Sequence, residues 1–193
     1  MLFYTIASML VAGTALAQTP PGFVPQVNKT LDVYYGTTYI TPGLMVKKSS
    51  VSKAPTIGVT GVTLTGAKYL MVMIGKPPQG TATKRGTVLH ALLQDYIPTT
   101  QTLNGSLVLT TKATGPASYF GPAPPAETPK HPHNYLFLLH EQPANFAVPQ
   151  SQKSVVSGRM NIDWIKFMKD AGLTDPLYAN YLQVQSGDNT RRG

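Results

Sequence analysis

The side chains of this chain best suited to proton or hydrogen-bond chemistry are its four histidines, His90, His131, His133 and His140. An imidazole can donate to phosphate-like oxygens, and a phenol such as Tyr135 can do the same. Spacing argues against other chemistries. His131-Pro132-His133 sets two imidazoles close together, yet with no acid or thiol alongside they make a poor metal site, although imidazole is a common ligand. There is no cysteine, which removes thiol nucleophiles and thiolate ligands. Serine and threonine are plentiful, but no G-x-S-x-G elbow is present and no Ser-His-acid set can be assembled. Asp95, Glu127 and Glu141 read as isolated acids without a general acid/base partner. The chain is therefore expected to be no enzyme and to carry neither cofactor nor metal. Taken alone, His90 reads as a core histidine with one satisfied hydrogen bond. His133 opens a strand after a loop, where ligand contacts concentrate.

Those residues need a frame to hold them. The chain has 193 residues, of which 42% are hydrophobic and 12% charged, enough for one domain with a real core. Seventeen glycines and seventeen prolines imply many turns and a mainly β architecture. Leu31, Val33 and Tyr35 alternate like a half-buried strand, Pro42-Gly43 turns the chain, and a second strand follows around Leu44 to Val46. Ile57, Val59, Val62 and Leu64 continue the β pattern. Tyr69 to Ile74 is an unbroken apolar run, as expected of a strand buried on both faces. Val88 to Leu93 is apolar except for His90, Leu107 to Leu109 is a short strand, and Tyr135 to Leu139 is a further strong one. Thr114 to Pro132 is a loop dense in glycine and proline. One segment has helical periodicity: Ile162, Ile165 and Met168, with Trp164 and Phe167 widening the stripe, Asn161 or a neighbour as cap and Gly172 as the left-handed stop. Tyr181 to Gln185 returns to alternation.

Met1 to Ala17 is uncharged and apolar and ends in Ala15-Leu16-Ala17, the pattern of a cleaved secretory leader. Residues 18–30 form a Pro-rich lead, 31–185 the domain, and 186–193 a polar tail. A secreted, extracellular monomer without a membrane span is expected. Asn28-Lys29-Thr30 and Asn104-Gly105-Ser106 are glycosylation sequons, at Asn28 and Asn104. Sixteen basic against eight acidic residues give a net charge of +8, which favours anionic partners. The basic residues are scattered rather than interleaved with aromatics, so no nucleic-acid groove is expected.

At the Gly/Pro loop the sequence becomes specific. Tyr119-Phe120-Gly121-Pro122-Ala123-Pro124-Pro125, followed by His133-Asn134-Tyr135-Leu136-Phe137-Leu138-Leu139 and Gln142-Pro143, resembles the long signature of the phosphatidylethanolamine-binding proteins. Val72-Met73-Ile74 and Leu89-His90-Ala91-Leu92 are similar to two of that family's strands. Met160-Asn161-Ile162 through Gly172-Leu173, Asp175-Pro176 and Ala179-Asn180-Tyr181 resemble its C-terminal region. The likeness runs from about Leu31 to Gln185 with its motifs in order. It implies a Greek-key β-sandwich with one clear C-terminal helix, and a pocket for a small anion such as a phosphate ester or phospholipid head group. By the same resemblance His90, His133 and Tyr135 are pocket residues, with Tyr119 just before the rim Gly121, Pro122, Ala123 and Pro124. Backbone N–H groups in such a loop can form an anion-binding concavity.

The departures are informative. Where the family has D-P-D-x-P, this chain has Gly75-Lys76-Pro77-Pro78, so both carboxylates are missing and Gly75 stands at the pocket Asp. The stretch Ala126 to Pro132 is two residues longer than the family pattern. His140 replaces a tyrosine. These changes predict a more cationic mouth near Lys76 and a weakened preference for ethanolamine. Some members of the family inhibit proteases or carboxypeptidases, or bind signalling proteins. The alternative expectation is therefore an inhibitor or interaction scaffold acting through the N-terminal segment or surface loops, with a degenerate pocket.

Overall fold

The computed structural model describes residues 17–76 and 86–187. Most of the expected leader, the Pro77-Pro78 loop and the tail from residue 188 lie outside the described residues. The strands are β1 Asp32–Tyr35, β2 Thr38–Tyr39, β3 Leu44–Met45, β4 Thr56–Val59, β5 Tyr69–Lys76, β6 Val88–Leu103, β7 Ser106–Thr110, β8 Pro116–Ala117, β9 Pro132–Glu141 and β10 Tyr178–Gln185. Two short helices, α1 Lys153–Gly158 and α2 Trp164–Ala171, precede β10. The strands join in the order β2-β1-β4-β7-β6-β5-β9-β10-β3, with β8 added beside β6. The protein is thus mainly β with a C-terminal helix, as its sequence predicts.

The longest strand, β6, turns one sheet into two layers. Its first part pairs with β5, from Gly75↔Val88 to Tyr69↔Tyr96, and its second part pairs with β7, from Ile97↔Thr110 to Leu103↔Ser106. The strand bends at Asp95, whose φ is +62°. There the Asp95 amide donates to Gln142 Oε1 at 2.8 Å and its carboxylate takes Lys68 Nζ at 2.8 Å. The apolar segment Val88 to Leu93 is therefore only the first part of a strand that runs on through polar sequence to Leu103.

Layering explains the apolar run of β5. Tyr69, Met71 and Met73 pack toward the layer of β1, β4 and β7, with Val33, Ile57, Leu109 and Phe137. Leu70, Val72 and Ile74 face the other way, against Trp164, Phe167 and Met168 of α2 and Val156 of α1. A strand buried on both faces has no polar side to alternate with.

Several local expectations are revised. β1 is buried at all four positions, because Asp32 accepts hydrogen bonds from Tyr39 Oη at 3.0 Å and Thr60 Oγ1 at 2.6 Å, and Tyr34 Oη bonds Ser106 Oγ at 3.0 Å. Satisfied polar atoms can be buried without penalty of the kind an orphan carries. Val62 and Leu64 lie beyond the end of β4. In α2 the buried seam is Trp164, Phe167 and Met168, whereas Ile165 is 47% exposed. The cap is the neighbour Asp163, accepting from Lys166 N at 3.0 Å, and Gly172 ends the helix at φ +64° as expected. The Pro-rich lead is part of the packed body: Phe23 and Val27 are buried against the helical layer, and Gln18 N donates to Val27 O at 2.7 Å. Asn28 and Asn104 are both exposed, Asn104 in the β6–β7 turn.

Candidate functional site

The ends of β5, β6 and β9 meet the Gly/Pro loop around a cavity of about 330 Å³. Gly75, His90, His133 and Tyr135 form its sheet wall, Phe120 and Ala123 to Pro125 its rim, and Val88 and Met160 its apolar side. His90 and Tyr135 stand next to each other because β5 lies between their strands, with Gly75 paired to Tyr135 on one side and to Val88 on the other.

Backbone irregularity aims His90. Between β5 and β6 the register steps from Met73↔Ala91 to Ile74↔Leu89, so His90 is the unpaired residue of a bulge. A bulge re-aims the side chain it carries. The freed backbone of His90 is used instead by the rim: Phe120 N donates to His90 O at 2.8 Å. The His90 side chain closes the same contact, with Nδ1 2.7 Å from Phe120 O. The two rings stack at 5.0 Å and 5°, and the Tyr135 ring meets His90 edge-on at 5.0 Å and 80°. Arg159 secures the loop from behind, donating through Nη1 to Ser118 O at 2.8 Å.

Gly75 and Gly121 are close-approach positions. A Cβ on Gly75 would lie 2.8 Å from His90 Nε2 and 3.2 Å from Tyr135 Cε1, so the space an aspartate would fill here is taken by the imidazole. A Cβ on Gly121 would lie 2.9 Å from Val51 O, in the 3₁₀ turn Lys48–Val51 that backs the rim.

Burial lowers the pKa of His90, and the nearby Arg159 guanidinium adds to this, while the Phe120 carbonyl pulls the other way. Burial raises the pKa of Tyr135, opposed by its interaction with the Ala123 backbone. Both groups are thus biased toward their neutral forms at ordinary pH.

His133 carries the largest surprise. Its Nε2 is bonded to the Glu127 carboxylate, and both side chains are almost fully enclosed. Glu127 is therefore no isolated acid, and the cavity that lost its carboxylate at Gly75 has one beside its other histidine. The two-residue extension of the loop is the signal in the sequence, since the new acid lies within it. The expectation of a mouth made cationic by the loss at Gly75 is corrected accordingly.

The remaining predicted residues divide. Ala123 and Pro124 line the cavity, while Gly121 and Pro122 line an adjoining cleft with Lys48, Ser49 and Ser52. Tyr119 points elsewhere: its hydroxyl donates to Val51 O at 2.7 Å and bonds Tyr35 Oη at 2.8 Å, with burial pushing its pKa up to about 12. Phe120, Met160, Val88 and Gly86 were not singled out by sequence, and they give the cavity its apolar surface. His140 is a core residue, its Nδ1 2.9 Å from Thr174 O. Among the described residues no cluster of three metal-ligating side chains occurs. A larger cleft of about 660 Å³ lies over Asp32, Tyr34, Tyr39, Thr60 and Ser106, which bond one another.

Comparison with known proteins identifies the family and the fold. The sequence model of the family described as phosphatidylethanolamine-binding protein matches residues 25–182. A relative from Talaromyces stipitatus, phomoidride biosynthesis cluster protein N, is 26% identical over 197 residues, covering 94% of this chain and 96% of that protein. Among solved structures, a carboxypeptidase Y inhibitor complexed with its cognate proteinase superposes with a TM-score of 0.61 at 19% identity, covering 82% of this chain and 84% of the other. The solution structure of CG7054 gives a TM-score of 0.52 at 20% identity, covering 80% and 83%. At these identities the structures establish a shared fold.

Proposed function

The chain belongs to the phosphatidylethanolamine-binding protein family, and on that premise we propose that it binds a small acidic ligand, a phosphate ester or phospholipid head group, without transforming it. One observation carries this reading: His90, far in sequence from His133 and Tyr135, lines a single cavity with them beside the backbone of Ala123 to Pro125. Apolar walls with a few convergent polar groups are the usual composition of a small-molecule site. Titration calorimetry with inorganic phosphate and phosphoethanolamine tests it. Saturable heat that weakens in Tyr135→Phe and His90→Asn proteins supports the reading, and no heat from either compound with the native chain removes it. Secretion through the N-terminal leader, and glycans on Asn28 and Asn104, belong to the same proposal; intact mass of the exported protein checks both.

Two further observations widen the reading. The relative named for a biosynthetic cluster, together with Phe120, Val88 and Met160, supports a small organic acid with an apolar body as the natural occupant. The likeness to a carboxypeptidase Y inhibitor supports a second reading, inhibition of a protease through the lead around Val24, which is 65% exposed. Inhibition lost when the chain is shortened through Pro25, but kept in His90→Asn, favours that second reading.

A further inference from the structure

The two histidines of the cavity do not offer the same chemistry, and the difference at His90 restricts what can bind. This inference rests on the binding reading above and names the ligand class more narrowly. Nδ1 of His90 lies 2.7 Å from the carbonyl oxygen of Phe120. A carbonyl oxygen only accepts, so Nδ1 must carry the hydrogen. The same residue is held a second time by Phe120 N donating to His90 O, and the stacked Phe120 ring holds the imidazole plane. The tautomer is therefore set by the backbone. In the neutral ring Nε2 is left as a lone pair, and it points to the side of the cavity where Gly75 has no side chain.

We propose that His90 Nε2 acts as a hydrogen-bond acceptor for the ligand, so that the site selects acids that still bear an O–H, such as a phosphate monoester monoanion, over anions with no proton to give. The surroundings of the ring agree. Burial, with Arg159 adding to it, outweighs the pull of the Phe120 and Gly121 backbone and disfavours its charged form. Among the described residues, the titratable side chains on the elements around it include Tyr135 and His133 on β9, Glu127 on the rim loop beside His133, Lys76 at the end of β5 and Arg159 after α1, with Tyr69 of β5, Asp95 and Tyr96 of β6, and His140 and Glu141 of β9 farther along the same strands. Arg159 Nη1 is 3.4 Å from His90 O, on the backbone side of the residue. A second imidazolium next to that guanidinium is the costlier state.

Proton uptake on binding cannot by itself separate a protonated ligand on a neutral ring from an ionised ligand on an imidazolium. Two probes can. Methyl phosphate can bring a proton as its monoanion, whereas dimethyl phosphate is a monoanion without one. Calorimetry between about pH 8 and about pH 6 should show methyl phosphate tightening by roughly tenfold per pH unit above its own pKa, with uptake of one proton. Dimethyl phosphate should bind at least about tenfold more weakly near pH 6 and show little pH dependence. In His90→Asn the amide can still donate to Phe120 O but offers nothing in place of Nε2, and the preference between the probes should vanish. Comparable, proton-coupled binding of dimethyl phosphate overturns the inference while leaving the binding reading intact. Failure of both probes to bind the native chain overturns both. Should the variant not fold, long-range proton–nitrogen NMR of the native chain near pH 7 decides: a hydrogen on Nδ1 alone supports the assignment, and one on Nε2 or on both overturns it.

Discussion

Glu127 and His133 are joined across the rim loop, carboxylate to Nε2, with neither side chain appreciably exposed. The bond ties the loop after Pro125 to the start of β9, and so fixes the rim of the cavity relative to its sheet wall. Hydrogen bonds to charged groups contribute about 1.5–3 kcal/mol, and a buried partner left alone adds its desolvation cost. Glu127→Ala is expected to lower unfolding stability by about 2 kcal/mol in denaturant titrations and to weaken phosphate binding, with Glu127→Gln recovering part of both.

Gly75 admits no side chain without moving His90 or Tyr135. Gly75→Ala places a methyl 2.8 Å from His90 Nε2, and the ring cannot retreat without breaking its bond to Phe120. Overpacking of this kind costs about 1–3 kcal/mol. The expected result is a loss of about tenfold or more in phosphate affinity, together with loss of the ring-current shift that the stacked Phe120 imposes on His90 in proton NMR.

His140 makes the fold sensitive to acid. Burial depresses its pKa from 6.5 to about 4, only partly offset by the Thr174 carbonyl. The unfolded chain takes up this proton near pH 6.5, while the folded chain resists until about pH 4. Between those values the unfolded state binds more protons, so stability falls as pH falls through that window, and above it the cost is absent. The full effect is on the order of 3 kcal/mol. The chain has one tryptophan, Trp164, and its ring lies 5.4 Å from His140. Its fluorescence in urea titrations at several pH values reads the effect directly, and His140→Gln should flatten the acid limb.

The N-terminal lead should behave as part of the domain. Phe23 is 8% exposed and packs on the helical layer. Removing residues through Pro25 forfeits this burial, worth about 1.5–3 kcal/mol, so thermal unfolding should shift downward even where ligand binding is retained.

What the sequence made legible follows from how local each cause is. The run Tyr69 to Ile74 announces a strand covered on both sides, because burial on two faces writes itself into consecutive residues. Gly172 announces the end of α2, because only its own φ is at stake. The continuation of β6 past Leu93 does not show, since its polar residues serve a bend that depends on Gln142, far along the chain. At the cavity, His90 is visible only through the family signature; within its strand it has the appearance of a core residue, and the bulge that aims it is a property of pairing with β5. Tyr119 stands in the same signature but turns its hydroxyl to Val51 and Tyr35. Glu127 was legible as an extra acid in a lengthened loop and illegible as a partner, because nothing in the spacing says that the loop folds back on His133.

The position of β5, between β6 and β9 with packed layers above and below, has a consequence for time rather than for shape. Its amides along Tyr69 to Gly75 are bonded to neighbours on both edges, so solvent reaches them only when the whole domain opens. The back wall of the cavity should then be the slowest part of the molecule to take up deuterium. The rim amides of Gly121 and Ala123, outside any strand, should exchange far sooner, so ligand entry and exit would be governed by the loop while the sheet wall stays still.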